Sequence, residues 1–291
     1  MRIAITGSNG MIGKILTKNL QEKGHEIVEC TKEKNNIMDK ENLKKAFKGC
    51  KIVIHLAAQL NENANDLWEI NVKGTENCLE AAEEAKIDQF IYASTAGVYG
   101  LQPGLKDETT QPKPETKYEK SKYEAEKKVQ ERQELFHITI LRPAIIVGEN
   151  EYWKKIIEKI KKNYPIVGQG KNIWQMITAK DTAKAFEFCC NNENCYGETF
   201  IIAHPKKITL EELVNTIRKE LGMKKVKKIP LWLGMTIAEI NQILKISKDI
   251  NKAYIQRMQA ERNYSTQKIE SIGWKAEQDP IKELIKITKK I

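Results

Sequence analysis

The stretch Arg2-Ile3-Ala4-Ile5-Thr6-Gly7-Ser8-Asn9-Gly10-Met11-Ile12-Gly13 decides the fold. An apolar strand runs into three glycines spaced three apart, and a segment of helical period follows. Glycine permits a tight turn and lets backbone approach a phosphate, while unpaired N–H groups at a helix start face the anion. A glycine triplet alone is a weak signal; the strand before it and the helix after it supply the context. The residues from Gly7 to Gly13 therefore read as the pyrophosphate site of a nucleotide cofactor.

Outward from that stretch, strand-like and helix-like segments alternate. Arg2–Thr6 is the first strand, a helix covers about Met11–Lys23 until Gly24 stops it, and His25–Cys30 is the second strand. Asp39–Phe47 reads as a helix, Lys51–Leu56 as a short buried strand, Asp66–Ala85 as a longer helix and Gln89–Thr95 as a fourth strand. Pro103, Gly104, Pro112 and Pro114 make Leu101–Glu115 an irregular loop. Thr116–Glu134 is again helical and Ile138–Leu141 enters another strand. Such alternation predicts an α/β fold with a Rossmann-type doubly wound parallel sheet. After Gly148 the pattern loosens: Tyr152–Lys162 looks helical, and Pro165 and Gly168-Gln169-Gly170 break the chain. Asp181–Cys190 and Thr199–Ala203 return to the sheet, and a mostly helical remainder ends in a helix near Pro280. The expected division is a cofactor domain over residues 1–150, joined by 176–203, and a smaller, mainly helical substrate lobe from 151–175 and 204–291.

Composition narrows the class. The chain has 291 residues, 41% hydrophobic and 30% charged, ordinary for a globular protein able to bury a large core. Six cysteines form no CxxC pair and the histidines number four, so neither a zinc site nor a disulfide framework is expected. The net charge of +10 is spread over mixed Lys/Glu helices with no nucleic-acid motif. It reads as a lysine-rich solvated surface, some of which helps attract a phosphorylated cofactor. Ile229–Ile246, carrying Glu239, Asn241, Gln242 and Lys245, reads as an amphipathic helix packed on the core. With no secretory leader pattern and no uninterrupted apolar span, the expectation is a cytoplasmic protein without integral membrane association.

Six motifs in order resemble the extended short-chain dehydrogenase/reductase family, the group of epimerase/dehydratase and 3β-hydroxysteroid-dehydrogenase-like enzymes. They are the Gly7-Gly10-Gly13 loop, His55-Leu56-Ala57-Ala58, Asn71-Val72-Lys73-Gly74-Thr75, Ser94-Thr95-Ala96-Gly97-Val98-Tyr99-Gly100, Tyr118-Glu119-Lys120-Ser121-Lys122 and Leu141-Arg142-Pro143. The resemblance covers essentially the whole chain. It implies a catalytic set of Thr95, Tyr118 and Lys122, with Lys122 also on the nicotinamide ribose and Glu126 at the family's acidic helix position. It further implies cofactor contacts from Leu56, Ala57 and Ala58, and Asn71 and Thr75 organising the strand end, with helix capping the other reading of Asn71. Pro143, Ile145 and Ile146 resemble the wall around the nicotinamide, His55 is structural, and homodimerisation is a family expectation.

The chemistry of that set can be argued physically. A tyrosine and a lysine four apart share one helix face. A free phenol titrates near pH ~10, too high for a base at neutrality, and an adjacent ammonium favours phenolate. Bringing the value to near neutrality asks for roughly 4 kcal/mol of differential stabilisation. Tyr118 would then exchange a proton with a substrate hydroxyl or carbonyl, and Thr95 would hold the same oxygen. The YxxxK pattern occurs again at Tyr123/Lys127 and Tyr264/Lys268; Ser121 and the distance from Thr95 favour Tyr118.

Cofactor choice turns on the end of the second strand, where NAD-specific relatives place a carboxylate on the ribose 2′-hydroxyl. Thr31 and Lys32 stand there, with Lys34 near, and suit a 2′-phosphate; NADP is thus preferred over NAD. Asn36 and Ile37 fall where relatives contact adenine. Ala96-Gly97 replaces the Asp-Glu pair that 4,6-dehydratases carry after the threonine, which disfavours water elimination. Arg142-Pro143-Ala144-Ile145-Ile146-Val147-Gly148 lacks the asparagine of many nucleotide-sugar epimerases and is closer to hydroxysteroid- and dihydroflavonol-reductase-like members. Tyr152, Trp153, Trp174 and Trp232 are compatible with an apolar pocket or with core packing. The first expectation is an oxidoreductase interconverting an alcohol and a carbonyl on a small-molecule substrate. A nucleotide-sugar epimerase comes second, and a non-catalytic cofactor-sensing or scaffold protein third.

Overall fold

The computed structural model describes the backbone of residues 1–244 and 251–291, and side chains outside 242–250. Among the described residues the central sheet has six strands. These are β1 (Arg2–Thr6), β2 (Glu26–Cys30), β3 (Ile52–His55), β4 (Gln89–Ala93), β5 (His137–Pro143) and β6 (Glu198–Ile202). All pairs are parallel, in the order β6-β5-β4-β3-β1-β2. The chain leaves β1 for β2 on one side and returns to β3 on the other, a topological switch at β1. Thr6 is level with both Cys30 and His55, so the loops after the first three strands share one edge of the sheet.

Both faces of the sheet are covered, as a parallel sheet requires. Ile3, Ile5, Ile52 and Ile54 pack on one side with Leu16 and Leu20 of α1 (Met11–Glu22) and Ala183 and Phe186 of α6 (Ala179–Cys189). Ala4, Val53, Phe90 and Tyr92 face the other side, under α2 (Lys40–Phe47), α3 (Gly74–Ala85) and α4 (Lys117–Gln130). The period of two along each strand sorts these residues between the layers. A third core joins Trp153 and Ile157 of α5 (Glu151–Lys161), Trp174, Leu213 and Ile217 of α7 (Leu210–Glu220), and Leu284 and Ile287 of α11 (Pro280–Lys290).

Three differences from the sequence reading have physical causes. The segment before α3 is a π-turn, Glu69–Lys73, whose buried Asn71 is drawn sideways by hydrogen bonds to Gln59 and Ser121. β4 stops at Ala93 because Thr95 caps a short 3-10 turn, Ala96–Tyr99. The third difference is α8 (Leu231–Leu244), which buries Gly234, Ala238 and Asn241 and leaves Leu231, Trp232, Ile237 and Ile240 exposed. These four apolar side chains thus face away from the core on which the helix was expected to pack, while Leu233 and Met235 are half-buried. Lys245 and Ile246, at the end of that expected helix, lie outside the described residues. The short helices α9 (Lys252–Gln259) and α10 (Gln267–Ser271) lead from there to α11.

Candidate active site

A cleft of about 1060 Å³ runs along the switch-point edge, floored by the glycine loop and closed on its far side by α9 and the chain after it. Gly7 has φ 69°, and a Cβ there would lie 2.9 Å from the Ala57 nitrogen. A Cβ on Gly13 would lie 2.2 Å from the Gly7 oxygen, so strand, turn and helix pack backbone to backbone. Gly10 enters α1 with no side-chain cap and no acidic residue in the first turn. The first N–H groups of the helix are therefore left for an anion. By contrast α2, α4, α5, α6, α7, α9 and α11 are capped by Asp39, Thr116, Asn150, Thr178, Thr209, Asn251 and Asp279. Such a cradle fits the diphosphate of a dinucleotide.

Beyond the loop, Thr31, Lys32, Asn36 and Ile37 line one end of the cleft, and Leu56, Ala57 and Ala58 line its floor. No carboxylate of the Cys30–Met38 turn is among the lining residues. Thr31 Oγ1 accepts from the backbone of Glu33 and Lys34, which shapes the turn and points Lys32 to the cleft mouth; Lys34 stays outside it. Asn36 folds back, accepting from Met38 N at 2.9 Å and donating to Lys32 O at 3.0 Å, so its amide largely serves its own turn.

Two expected contact residues stand off the cleft surface. Ser8 is buried beneath the loop with its hydroxyl unpartnered, because α1 packs over its Cα. Asn71 lies behind the cleft, where it ties Gln59, on the loop after β3, to Ser121 of α4. Next to it runs an ordered chain. The Ala57 N–H donates to Thr6 Oγ1, Thr6 Oγ1 lies 2.6 Å from His55 Nδ1, His55 Nε2 lies 2.9 Å from Thr75 Oγ1, and Thr75 donates to Asn71 O. Since Thr75 gives its proton to a carbonyl, Nε2 of His55 must donate and Nδ1 must accept. Burial, aided by the Lys122 charge, holds that imidazole down at about 3, so His55 is neutral and structural.

Thr95, Tyr118 and Lys122 all line the cleft. Thr95 Oγ1 accepts from Gly97 N at 3.0 Å, which leaves its own proton to donate outward. Tyr118 and Lys122 sit on α4, whose start is fixed by a capping box between Thr116 and Glu119. The Lys122 ammonium lies 4.2 Å from the centroid of the Tyr92 ring, and burial lowers its pKa to about 7, Glu126 offsetting only part. The expected lowering of the Tyr118 pKa by Lys122 is not found. Burial raises it, the Glu119 and Glu62 charges add to the rise, and no hydrogen bond joins Tyr118 to Lys122 among the described residues. Glu126 is occupied by Arg142 in a bidentate pair at 3.1 and 2.6 Å, and Arg142 also donates to Tyr99 Oη at 2.8 Å. This buried bridge fixes α4 to β5 and to the turn after Thr95. Pro143, Ile145 and Ile146 line the adjoining wall.

The other tyrosine–lysine pairs go elsewhere. Tyr123 packs against the cluster of Val98, Tyr99 and Ile201, away from the cleft. Tyr264 lines the cleft, while Lys268 pairs with Glu198 at 2.6 Å.

The substrate side holds residues that sequence reasoning missed. Arg257 donates to Glu62 and to Glu119, each at 3.2 Å, across the cleft mouth. Arg262 stacks 4.2 Å over Trp174 and donates to Arg257 O at 2.9 Å. Both arginines line the cleft. The segment between them is pinned by Lys106, a buried ammonium donating to the carbonyls of Gln102, Gly104 and Glu261 at 2.8, 3.1 and 2.6 Å. An apolar pocket is not what the aromatics build: Trp153 and Trp174 are core residues, Trp232 is 69% exposed, and of the four only Tyr152 lines the cleft. A side chain at Gly97 would press on Glu119 Cγ at 3.1 Å and on Thr95 Oγ1 at 3.2 Å, so a larger residue there would shift both by a few tenths of an ångström. Among the described residues no cluster of His, Cys, Asp and Glu could hold a metal ion.

The chain is similar to known proteins along most of its length. The chain is 30% identical to a putative UDP-glucose 4-epimerase of Methanocaldococcus jannaschii, over 98% of this chain and 96% of that one. It is 26% identical to an N-acetyl-alpha-D-glucosaminyl-diphospho-ditrans,octacis-undecaprenol 4-epimerase of Escherichia coli O157:H7, over 94% and 90%. The fold is similar to that of a Thermotoga maritima UDP-glucose 4-epimerase solved with UDP-glucose, with TM-score 0.78 and 20% identity over 99% and 98% of the chains. Residues 3–203, from the first strand through the last strand of the sheet, match the NAD dependent epimerase/dehydratase family, and to that family the chain belongs.

Proposed function

We propose that this chain is an epimerase acting on a sugar carried by a diphosphate. The observation that carries this is the pair Arg257 and Arg262, which line the same cleft as Thr95 and Tyr118; a diphosphate there would take the place of Glu62 and Glu119 on Arg257. Guanidinium groups match phosphate oxygens in planar, bidentate fashion. A sugar diphosphate is also common to the names of the two relatives. The uncapped start of α1 and the Gly7–Gly13 loop would hold the cofactor diphosphate, and Ile37, Leu56 and Ala58 would flank its adenosine half. Lys32 and Thr31 would take a 2′-phosphate, which favours NADP over NAD. Pro143, Ile145 and Ile146 would wall the nicotinamide. Bound there, a nicotinamide dinucleotide supplies the hydride acceptor, positively charged when oxidised. Tyr118 takes the proton of the sugar hydroxyl and later gives it back, Thr95 donates a hydrogen bond to the same oxygen, and the positive charge of an oxidised nicotinamide bound beside them would favour the phenolate that burial disfavours. The missing asparagine after Arg142 supports a second reading, net oxidation of an alcohol.

Proton NMR of UDP-glucose and UDP-N-acetylglucosamine incubated with the enzyme and either dinucleotide tests the reading. A C4 epimer should appear with no net change at the reduced-nicotinamide absorbance band, and Tyr118→Phe should slow it by ~10³-fold or more. Lys32→Ala should erase a preference for NADP in a binding titration. Net reduction of the dinucleotide without an epimer would replace this reading by the second. Dinucleotide binding without any turnover would support a non-catalytic role.

A further inference from the structure

The inverted helix α8 has a surface that neither the fold nor the cleft uses. Its inward stripe is Gly234, Ala238 and Asn241, spaced four and three apart, and a Cβ on Gly234 would lie 2.2 Å from Val167 Cγ1. The helix is therefore seated closely and in one orientation. Its outward side carries Trp232, Ile237 and Ile240 at 69, 40 and 49% exposure, with Leu231 at 47% beginning the helix. Exposed Lys224, Lys225 and Lys227 lie just before it, alternating with buried Val226, and Lys228 pairs with Glu211. The exposed acid of the helix, Glu239, is neutralised by Lys252.

We propose that α8 lies in the surface of an anionic lipid membrane. Tryptophan and alkyl side chains exposed on one helix suit the headgroup boundary of a bilayer, and the exposed lysines that precede α8 in the chain would meet the lipid phosphates. A second copy of this chain is the competing occupant, and the exposed lysines just before the helix favour an anionic surface over it. Docking would be peripheral, since among the described residues no helix is long and apolar enough to cross a membrane. α8 packs on α9, which carries Arg257, so the cleft mouth and the lipid surface would belong to the same lobe.

Co-sedimentation of the full chain with vesicles of phosphatidylcholine alone, or with a third phosphatidylglycerol, tests this without reading catalysis. The protein should pellet with the anionic vesicles, and less as salt rises. Trp232→Asp with Ile240→Asp should lower the partition tenfold or more, and so should Lys224→Gln, Lys225→Gln and Lys227→Gln together. Circular dichroism should stay unchanged, as these side chains are exposed. Absence of binding to anionic vesicles, or binding that both sets of substitutions leave intact, would overturn the proposal. So would a dimer in light scattering that Trp232→Asp dissolves, which would assign the face to a second copy.

Discussion

Lys122 is buried, and desolvation works against its charged form. Its pKa is lowered to about 7 by burial, while an unfolded chain would hold the proton to about 10.4. Between those values the unfolded state binds more protons, so stability rises with pH across that window. Below it the burial cost is fully present. Lys122→Met should therefore raise the melting temperature at pH 7 by a few degrees, with the gain shrinking toward pH 10. A gain that does not change with pH would remove the charge from the explanation. The tyrosine–lysine spacing was legible in three copies, of which Ser121 and the distance from Thr95 favoured Tyr118; in the structure Tyr118 and Tyr264 line the cleft while Tyr123 packs in a core. Arg257 and Arg262 were not legible. In a chain with 49 lysines and arginines, nothing local distinguishes a cleft arginine from a solvated one.

At the scale of elements, the opening strand, loop and helix behave as one unit. β1 was legible to the residue and α1 nearly so, because both carry their period in sequence and the glycines punctuate the join. The glycines are fixed by packing as much as by phosphate. A Cβ on Gly13 meets backbone, the Gly7 oxygen and the Ser8 Cα, neither of which can move without lifting α1 from β1. Gly13→Ala should cost about 1–3 kcal/mol in denaturant unfolding and weaken dinucleotide binding in parallel. Full stability with lost binding would mean that the glycine serves the ligand alone. The π-turn before α3 was not legible. It arises from Asn71 reaching Ser121, a contact between residues 50 apart that no local pattern records.

For the whole molecule, the alternation of strands and helices foretold the parallel sheet, whereas the far wall of the cleft depended on contacts such as Lys106 to Glu261, 155 residues apart. The third core is assembled in the same non-local way, with Trp153 and Ile157 from before β6 and Leu213, Leu284 and Ile287 from after it. This arrangement imposes an order of events on a chain made from its N-terminus. The sheet can gather as its strands emerge, but α5 must wait, apolar side outward, until the last helix has left the ribosome. Pulse-labelled hydrogen exchange during refolding should protect the amides of β3 and β4 before those of α5, and α5 together with α11. Protection of α5 well ahead of α11 would show that the helix finds shelter elsewhere. The chain thus gathers its central sheet while the helices that complete its third core are still being translated.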